Sequence, residues 1–293
     1  MVYPYFFVLL AAILWGMTGT AQTFLDNGVS PFAVPTIRSA IGGGFLLVVV
    51  VLLRKITFRT WSWKWTILAA ASIALFQGLF FTSIRLTGVA IGTVVTIGSA
   101  PMFSGVLEWL LLKTRPTKVW GVATVMTITG CILLFINNGD GTIHMGGVGL
   151  AICAGVSFAV YTNISKKLMA QQEALPAVAM TFSICALLLL PFSIGSGFSW
   201  LSDTQNLWTM LFMGVMCTSI AYLLFLSGLQ KISSSSAVTL SLAEPLTAAM
   251  LGVVLVGEHL SVTSWFGVAM LLSGIVVLTF VGRKNRNSKN GKW

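Results

Sequence analysis

Charge is what this chain most lacks. Only 8% of its 293 residues are Asp, Glu, Lys or Arg, against roughly 25% in an ordinary soluble domain. So few charges cannot cover the surface of a soluble protein this size, which excludes a soluble enzyme, a nucleic-acid-binding domain and a disordered chain. Histidine is nearly absent: His144 and His259 fall in different connections. The four cysteines, Cys131, Cys153, Cys185 and Cys217, each sit in an apolar run without a C-x-x-C pair. They read as small core residues rather than disulfides or ligands, so no metal site and no cofactor are expected. Walker, G-x-G-x-x-G, nucleophile-elbow and zinc spacings are also missing. No Lys or Arg precedes Arg38; a secretory signal needs a basic n-region, so the first apolar run is expected to be a retained span.

What the chain has is hydrophobicity. Apolar residues make up 56% of it, and its mean hydropathy is +0.93. A membrane helix needs about 20 mainly apolar residues. Ten runs qualify: 3–24, 31–53, 65–84, 89–112, 116–136, 146–166, 174–195, 205–229, 233–256 and 261–281. A β-barrel would show alternating segments of about ten residues instead, so the fold class is an all-α membrane protein with ten transmembrane helices.

The basic excess, a net charge of +10, is a matter of orientation rather than of nucleic acid. All but two of the 17 basic residues lie in alternate connections: Arg54, Lys55, Arg59 and Lys64; Lys113, Arg115 and Lys118; Lys166 and Lys167; Lys231; and Arg283, Lys284, Arg286, Lys289 and Lys292. Basic connections stay in the cytoplasm, which puts both termini there in a cell (plasma or inner) membrane. Asp26, Asp140, Asp203 and Glu258 all fall on the other side. The tail from Arg283 reads as an orientation and lipid-headgroup anchor.

The two halves repeat. With an offset of 144, Phe81 falls on Phe225, and Pro101 in "GSAPMFSGVLEWLLL" falls on Pro245 in "SLAEPLTAAMLGVVL". Gly130 in "TGCILL" matches Gly274 in "SGIVVL", and Pro31 meets Pro176 at offset 145. Expected units are 1–138 and 139–282, five helices each, then a basic tail, 283–293. An odd number of spans turns the second half upside down, an arrangement that underlies alternating access around a midplane site. With "AAILWGMTG" in span 1, Arg38 in span 2, and "LAEPLTAAMLGVVLVGEHLSVTSWFGV" across spans 9 and 10, the chain resembles the drug/metabolite transporter superfamily, in its EamA-type family of ten-helix carriers. The resemblance covers essentially the whole chain. It implies transport of a small-molecule substrate, an amino acid, other metabolite or drug, without fixing which.

Charge inside a bilayer is costly and usually faces a cavity or a partner. Arg38, Glu108 and Glu244 lie within spans. Arg38 suits a substrate carboxylate through two parallel hydrogen bonds, or serves as a structural ion pair. Glu244 precedes Pro245, which should free the Ser241 carbonyl and break the helix; Pro101 should do the same for Ile97. Glu244 suits an amine or proton coupling, or else neutralises Arg38. Glu108, nearer the inner end, is the second candidate for proton coupling or a gate-side charge. Trp15, Gln77, Thr96, Tyr161, Tyr222 and Ser241 complete the expected substrate site, each with a packing role as the alternative. Ala12, Gly16 and Thr20, and likewise Ala151, Gly155 and Ala159, form small-xxx-small ladders that allow close helix packing.

The expected function is a secondary transporter of an amino acid or related amphoteric solute. The alternatives are an exporter of organic cations or drugs and, remotely, a membrane-embedded enzyme, for which no clustered catalytic set is present. The partners are the solute and the lipid bilayer; a monomer suffices. The orientation is open to test in a background whose own cysteines are replaced by alanine. Asp140→Cys and Asp203→Cys should react with an impermeant thiol reagent added to intact cells, and Lys231→Cys should not. Labelling at position 231 from outside would reverse the topology.

Overall fold

A computed structural model of the chain describes residues 3–25, 29–30, 32–55, 61–135, 144–256 and 260–281, and every regular element in them is helical. Asp26, Pro31, Arg59, Asp140, Glu258, His259 and the tail 283–293 lie outside the described residues. The first seven spans are single helices: α1 (Tyr3–Gln22), α2 (Ala33–Leu52), α3 (Trp63–Thr87), α4 (Val89–Leu112), α5 (Lys118–Phe135), α6 (Met145–Leu168) and α7 (Ala174–Ser193). The eighth is α8 (Thr204–Gly214), a π-helical segment Val215–Ile220 and α9 (Ala221–Leu229). The ninth is split into α10 (Ser234–Leu240) and α11 (Ala243–Leu251), and the tenth is α12 (Val262–Val276), each ending in a π-helical turn. Among the described residues, nine spans are long and apolar enough to cross a membrane. The fifth falls short, with an apolar stretch of Lys118–Leu134.

The packing obeys the repeat. α3 packs on α6, and α1 packs on α9 of the eighth span; α4 packs on α6, and α1 packs on α11 of the ninth. α2 packs on α7, and α5 on α12. Exchanging each span for the one five places along maps this set of neighbours onto itself, so two inverted five-helix halves enclose a common centre. Glycines permit the approach, because without a hydrophobic drive inside lipid, helices associate through backbone proximity. A Cβ on Gly16 would stand 2.6 Å from the Glu244 carbonyl oxygen, and one on Gly155 would stand 2.7 Å from that of Thr96. These are corresponding crossings, and each lies in one of the two small-residue ladders. Gly130 and Gly267 play the same part between α5 and α12. Cys131, Cys185 and Cys217 are buried as expected; Cys153 instead faces outward, where a thiol is harmless against lipid.

The connections sort by end of the bundle. Lys55 pairs with Glu173 at 2.9 Å, Ser62 hydrogen-bonds Gln171, and Lys64 and Lys167 both lie about 5 Å from the Trp65 ring. At the opposite end Asp203 caps α8, and the Gln205 amide donates to the Phe24 carbonyl at 2.9 Å.

The basic end is tightly closed around the turn between α9 and α10. The Glu108 carboxylate, 3% exposed, accepts from the Ser235 amide at 2.8 Å. This amide lies in the first turn of α10, where N–H groups have no partner within the helix and the dipole favours an anion. Lys166 supplies the complement, donating to the carbonyls of Leu229 and Ile232. Beside them Trp120 and Thr124 both hydrogen-bond the Thr239 hydroxyl at 3.0 Å. Glu108→Ala should therefore lose about 1–3 kcal/mol, the cost of orphaning a buried amide, and Glu108→Gln, which keeps an acceptor, should lose less. Melting temperatures in detergent measure both; equal melting of Glu108→Ala and the parent protein would remove the cap from the account.

Candidate functional site

Between the halves lies a cavity of about 360 Å³, within the size range of small-molecule sites. α1 and the turn after it contribute residues from Trp15 to Thr23, α3 from Phe76 to Ile84, α4 from Thr93 to Ala100, and the ninth span Ser241, Glu244, Pro245 and Ala248; Arg38, Phe158 and Tyr222 complete it. Its lining reaches the exposed Thr23 at one end. At the other end it meets a floor of rings. Trp15 lies 4.7 Å from Tyr222, 5.1 Å from Phe225 and 6.0 Å from Phe158 between centroids, and Phe182 lies 4.3 Å from Tyr222. Edge-to-face and tilted contacts of this kind hold such rings rigidly.

Of the residues expected at the site, Arg38, Glu244, Trp15, Gln77, Thr96, Tyr222 and Ser241 all border this cavity. Two do not. Tyr161 is fully buried behind Phe158 and Tyr222, its ring 6.0 Å from that of Tyr222, so it supports the wall from behind. Glu108 is engaged with Ser235 at the closed end, away from the cavity. There its carboxylate caps the first turn of α10.

The proline expectations divide in the same way. Pro245 does accompany a break: Ser241 and Leu242 leave the helix between α10 and α11, and the Ser241 carbonyl, deprived of its ordinary donor, accepts from the Glu244 amide at 2.9 Å. Pro101 does not break α4, which runs unbroken from Val89 to Leu112. One missing hydrogen bond is tolerable where a neighbour holds the helix on both sides. Here α6 does so, with Gly155 against Thr96 and Ala100 and Asn163 donating to Ser104 at 3.2 Å.

The buried Arg38 and the half-buried Glu244 both border the cavity without touching each other. Arg38, 7% exposed, donates from Nε to the Thr218 hydroxyl at 3.1 Å. Among the described residues Lys55–Glu173 is the ion pair found within 4.0 Å, so Arg38 and Glu244 are not in contact. The Glu244 carboxylate stands at the first turn of α11. Gln77 is anchored through its amide nitrogen, 3.2 Å from the Ser39 hydroxyl and 3.3 Å from Cys185 Sγ. The cavity thus brings together the Arg38 guanidinium, the Glu244 carboxyl on a broken helix and a set of aromatic rings. Phe76, Phe80, Phe81 and Phe158 escaped the sequence reading because aromatic residues inside a span look the same whether they face lipid, core or cavity. Thr218 escaped because its importance comes from a partner 180 residues away.

Comparisons agree with this architecture. Residues 2–136 and 145–280 each match the EamA-like transporter family. The chain is 44% identical over 283 residues to the uncharacterized transporter YwfM of Bacillus subtilis (strain 168), covering 97% of this chain and 96% of that one. It is 26% identical over 298 residues to the uncharacterized inner membrane transporter YicL of Salmonella typhimurium, covering 94% and 95%. A solved structure titled only "Crystal structure of protein" superposes with a TM-score of 0.84 over 96% of this chain and 98% of that one, at 19% identity, which shows the fold alone. With both halves matched and a relative at 44% identity along nearly its whole length, this chain is a multi-pass membrane transporter that belongs to the EamA-like transporter family.

Proposed function

We propose that the protein carries an amino acid or related amphoteric solute with an apolar side chain across the cell membrane by alternating access. The observation behind this reading is the separation of Arg38 from Glu244 on the wall of one cavity. A guanidinium and a carboxylate held apart offer complementary partners to the two charges of a zwitterion, and together they are electrically neutral, as such a solute is. The aromatic floor provides for its apolar part. With both termini in the cytoplasm, as the basic connections suggest, the Thr23 end of the cavity is the outer one. The driving energy comes from a gradient, with Glu244 the better of the two glutamates to carry a proton. It borders the cavity at a helix break, whereas Glu108 is committed to the α10 amide.

The second reading, export of organic cations, draws on the same rings and on Glu244, since a cation over aromatic faces is attracted to them. Three probes of matched shape separate the two: phenylalanine, phenethylamine, which lacks the carboxylate, and 3-phenylpropanoate, which lacks the amine. Phenylalanine should raise the melting temperature most, and Arg38→Lys, which keeps the charge but loses the fork, should weaken it. Stabilisation by phenethylamine alone, unchanged in Arg38→Ala, would favour the cation reading.

Coupling has its own test in liposomes. Glu244→Gln should still exchange solute across the bilayer, because exchange needs no net proton movement. The same variant should fail at uphill transport driven by a pH gradient. Full gradient-driven uptake by Glu244→Gln would end the role of that carboxylate as proton carrier.

A further inference from the structure

The hydroxyl that holds Arg38 sits on the π-helical segment Val215–Ile220. Threonine hydroxyls on a regular helix turn back to the carbonyl four residues earlier, and many here do so, among them Thr36 to Phe32, Thr82 to Gly78 and Thr162 to Phe158. The two hydroxyls of the π segment reach one residue further. Thr218 donates to the Met213 carbonyl at 3.0 Å, and Ser219 donates to that of Gly214 at 3.1 Å. One extra residue in the turn has rotated both side chains toward α2. Thr218 then meets Arg38, and Ser219 lies 2.9 Å from the Gly42 carbonyl. α2 admits them because Gly42 has no side chain: a Cβ there would stand 2.7 Å from the Gly214 carbonyl oxygen and 2.8 Å from Thr218 Cγ2.

The chemistry of that one hydroxyl is directional. Its hydrogen is committed to Met213, which leaves a lone pair for a donor. The donor is Arg38 Nε. A guanidinium is planar, so fixing Nε fixes the plane and the direction in which its two terminal nitrogens point. Those nitrogens are the pair that a carboxylate would grip.

We propose that Thr218 is a positioning residue for substrate recognition: its hydroxyl, displaced by the π turn, holds the Arg38 guanidinium in the plane that accepts a carboxylate. The inference rests on the amphoteric reading of the cavity and adds to it the element that sets the clamp. The contact also crosses between the halves, so the second half determines how the cation of the first half is presented.

The test compares Thr218→Val, which keeps the shape and removes the hydroxyl, with Thr218→Ser, which keeps the hydroxyl. Phenylalanine exchange is measured in proteoliposomes holding the full chain. Thr218→Val should raise KM about tenfold, the scale of one hydrogen bond to a charged group, with maximal rate nearly unchanged. Thr218→Ser should restore KM. Binding of phenethylamine, read by melting shift, should be the same in both variants, because it does not use the clamp. A purely structural role would instead lower melting temperature and maximal rate for every solute. Equal KM in Thr218→Val and the parent, with affinity lost in Arg38→Ala, would overturn the role of Thr218 and leave Arg38 as the clamp. Undiminished phenylalanine affinity in Arg38→Ala would overturn the amphoteric reading along with it.

Discussion

Hydrocarbon offers no hydrogen bonds, and the charged groups within this bundle are placed by that fact. Backbone groups are satisfied along helices. Side-chain charges that water would otherwise solvate must find helix ends, hydroxyls or a cavity. Glu108 takes the Ser235 amide in the first turn of α10, and Lys166 takes the Leu229 and Ile232 carbonyls at the end of α9 and after it. Arg38 takes a threonine hydroxyl and an open wall. Two of the irregular stretches suit the same constraint: the split between α10 and α11 borders the cavity, and the π turn of the eighth span faces α2 and Arg38.

The inverted repeat converts this local chemistry into a machine with one centre. Corresponding crossings, α1 on α11 and α6 on α4, are made close by corresponding glycines, Gly16 and Gly155. Yet the two crossings differ where it matters. The ninth span is broken at its proline and bears a carboxylate on the cavity; the fourth runs whole through its proline and keeps its carboxylate for capping. Duplication supplied the scaffold, and divergence of the two copies supplied the asymmetry of the site.

Spans, charge partition and repeat were readable from residue order because each is a property of long stretches: hydropathy averages over about 20 positions, and offsets persist over a whole half. The ladder glycines were readable too, since small residues at every fourth position define a face. Individual roles were harder. Pro101 and Pro245 look alike in sequence, and the local residue pattern does not say which of the two helices parts. Glu108 sits 127 residues from the amide it caps, and no local pattern announces such a partner. The π turn in Val-Met-Cys-Thr-Ser-Ile carries no composition of its own; it is a response to how α2 and the eighth span fit. Arg38, Glu244 and Trp15 were found because a costly or unusually deep residue invites a reason for its presence.

The ring floor has an electrical consequence. Trp15, Phe158 and Tyr222 line the cavity on the side of the Glu108–Ser235 contact, and the side chains beyond them are buried and closely packed. A membrane voltage falls mainly across the part of a protein that water does not reach, so most of the field is compressed into the layer between those rings and the Glu108–Ser235 contact. Charges on the cavity wall sit at nearly the potential of the bath above them. An ion or solute charge moved past the rings would traverse most of the drop in one short step, worth about 2.3 kcal/mol per elementary charge at 100 mV. Voltage would thus act on the passage through the floor far more than on binding above it.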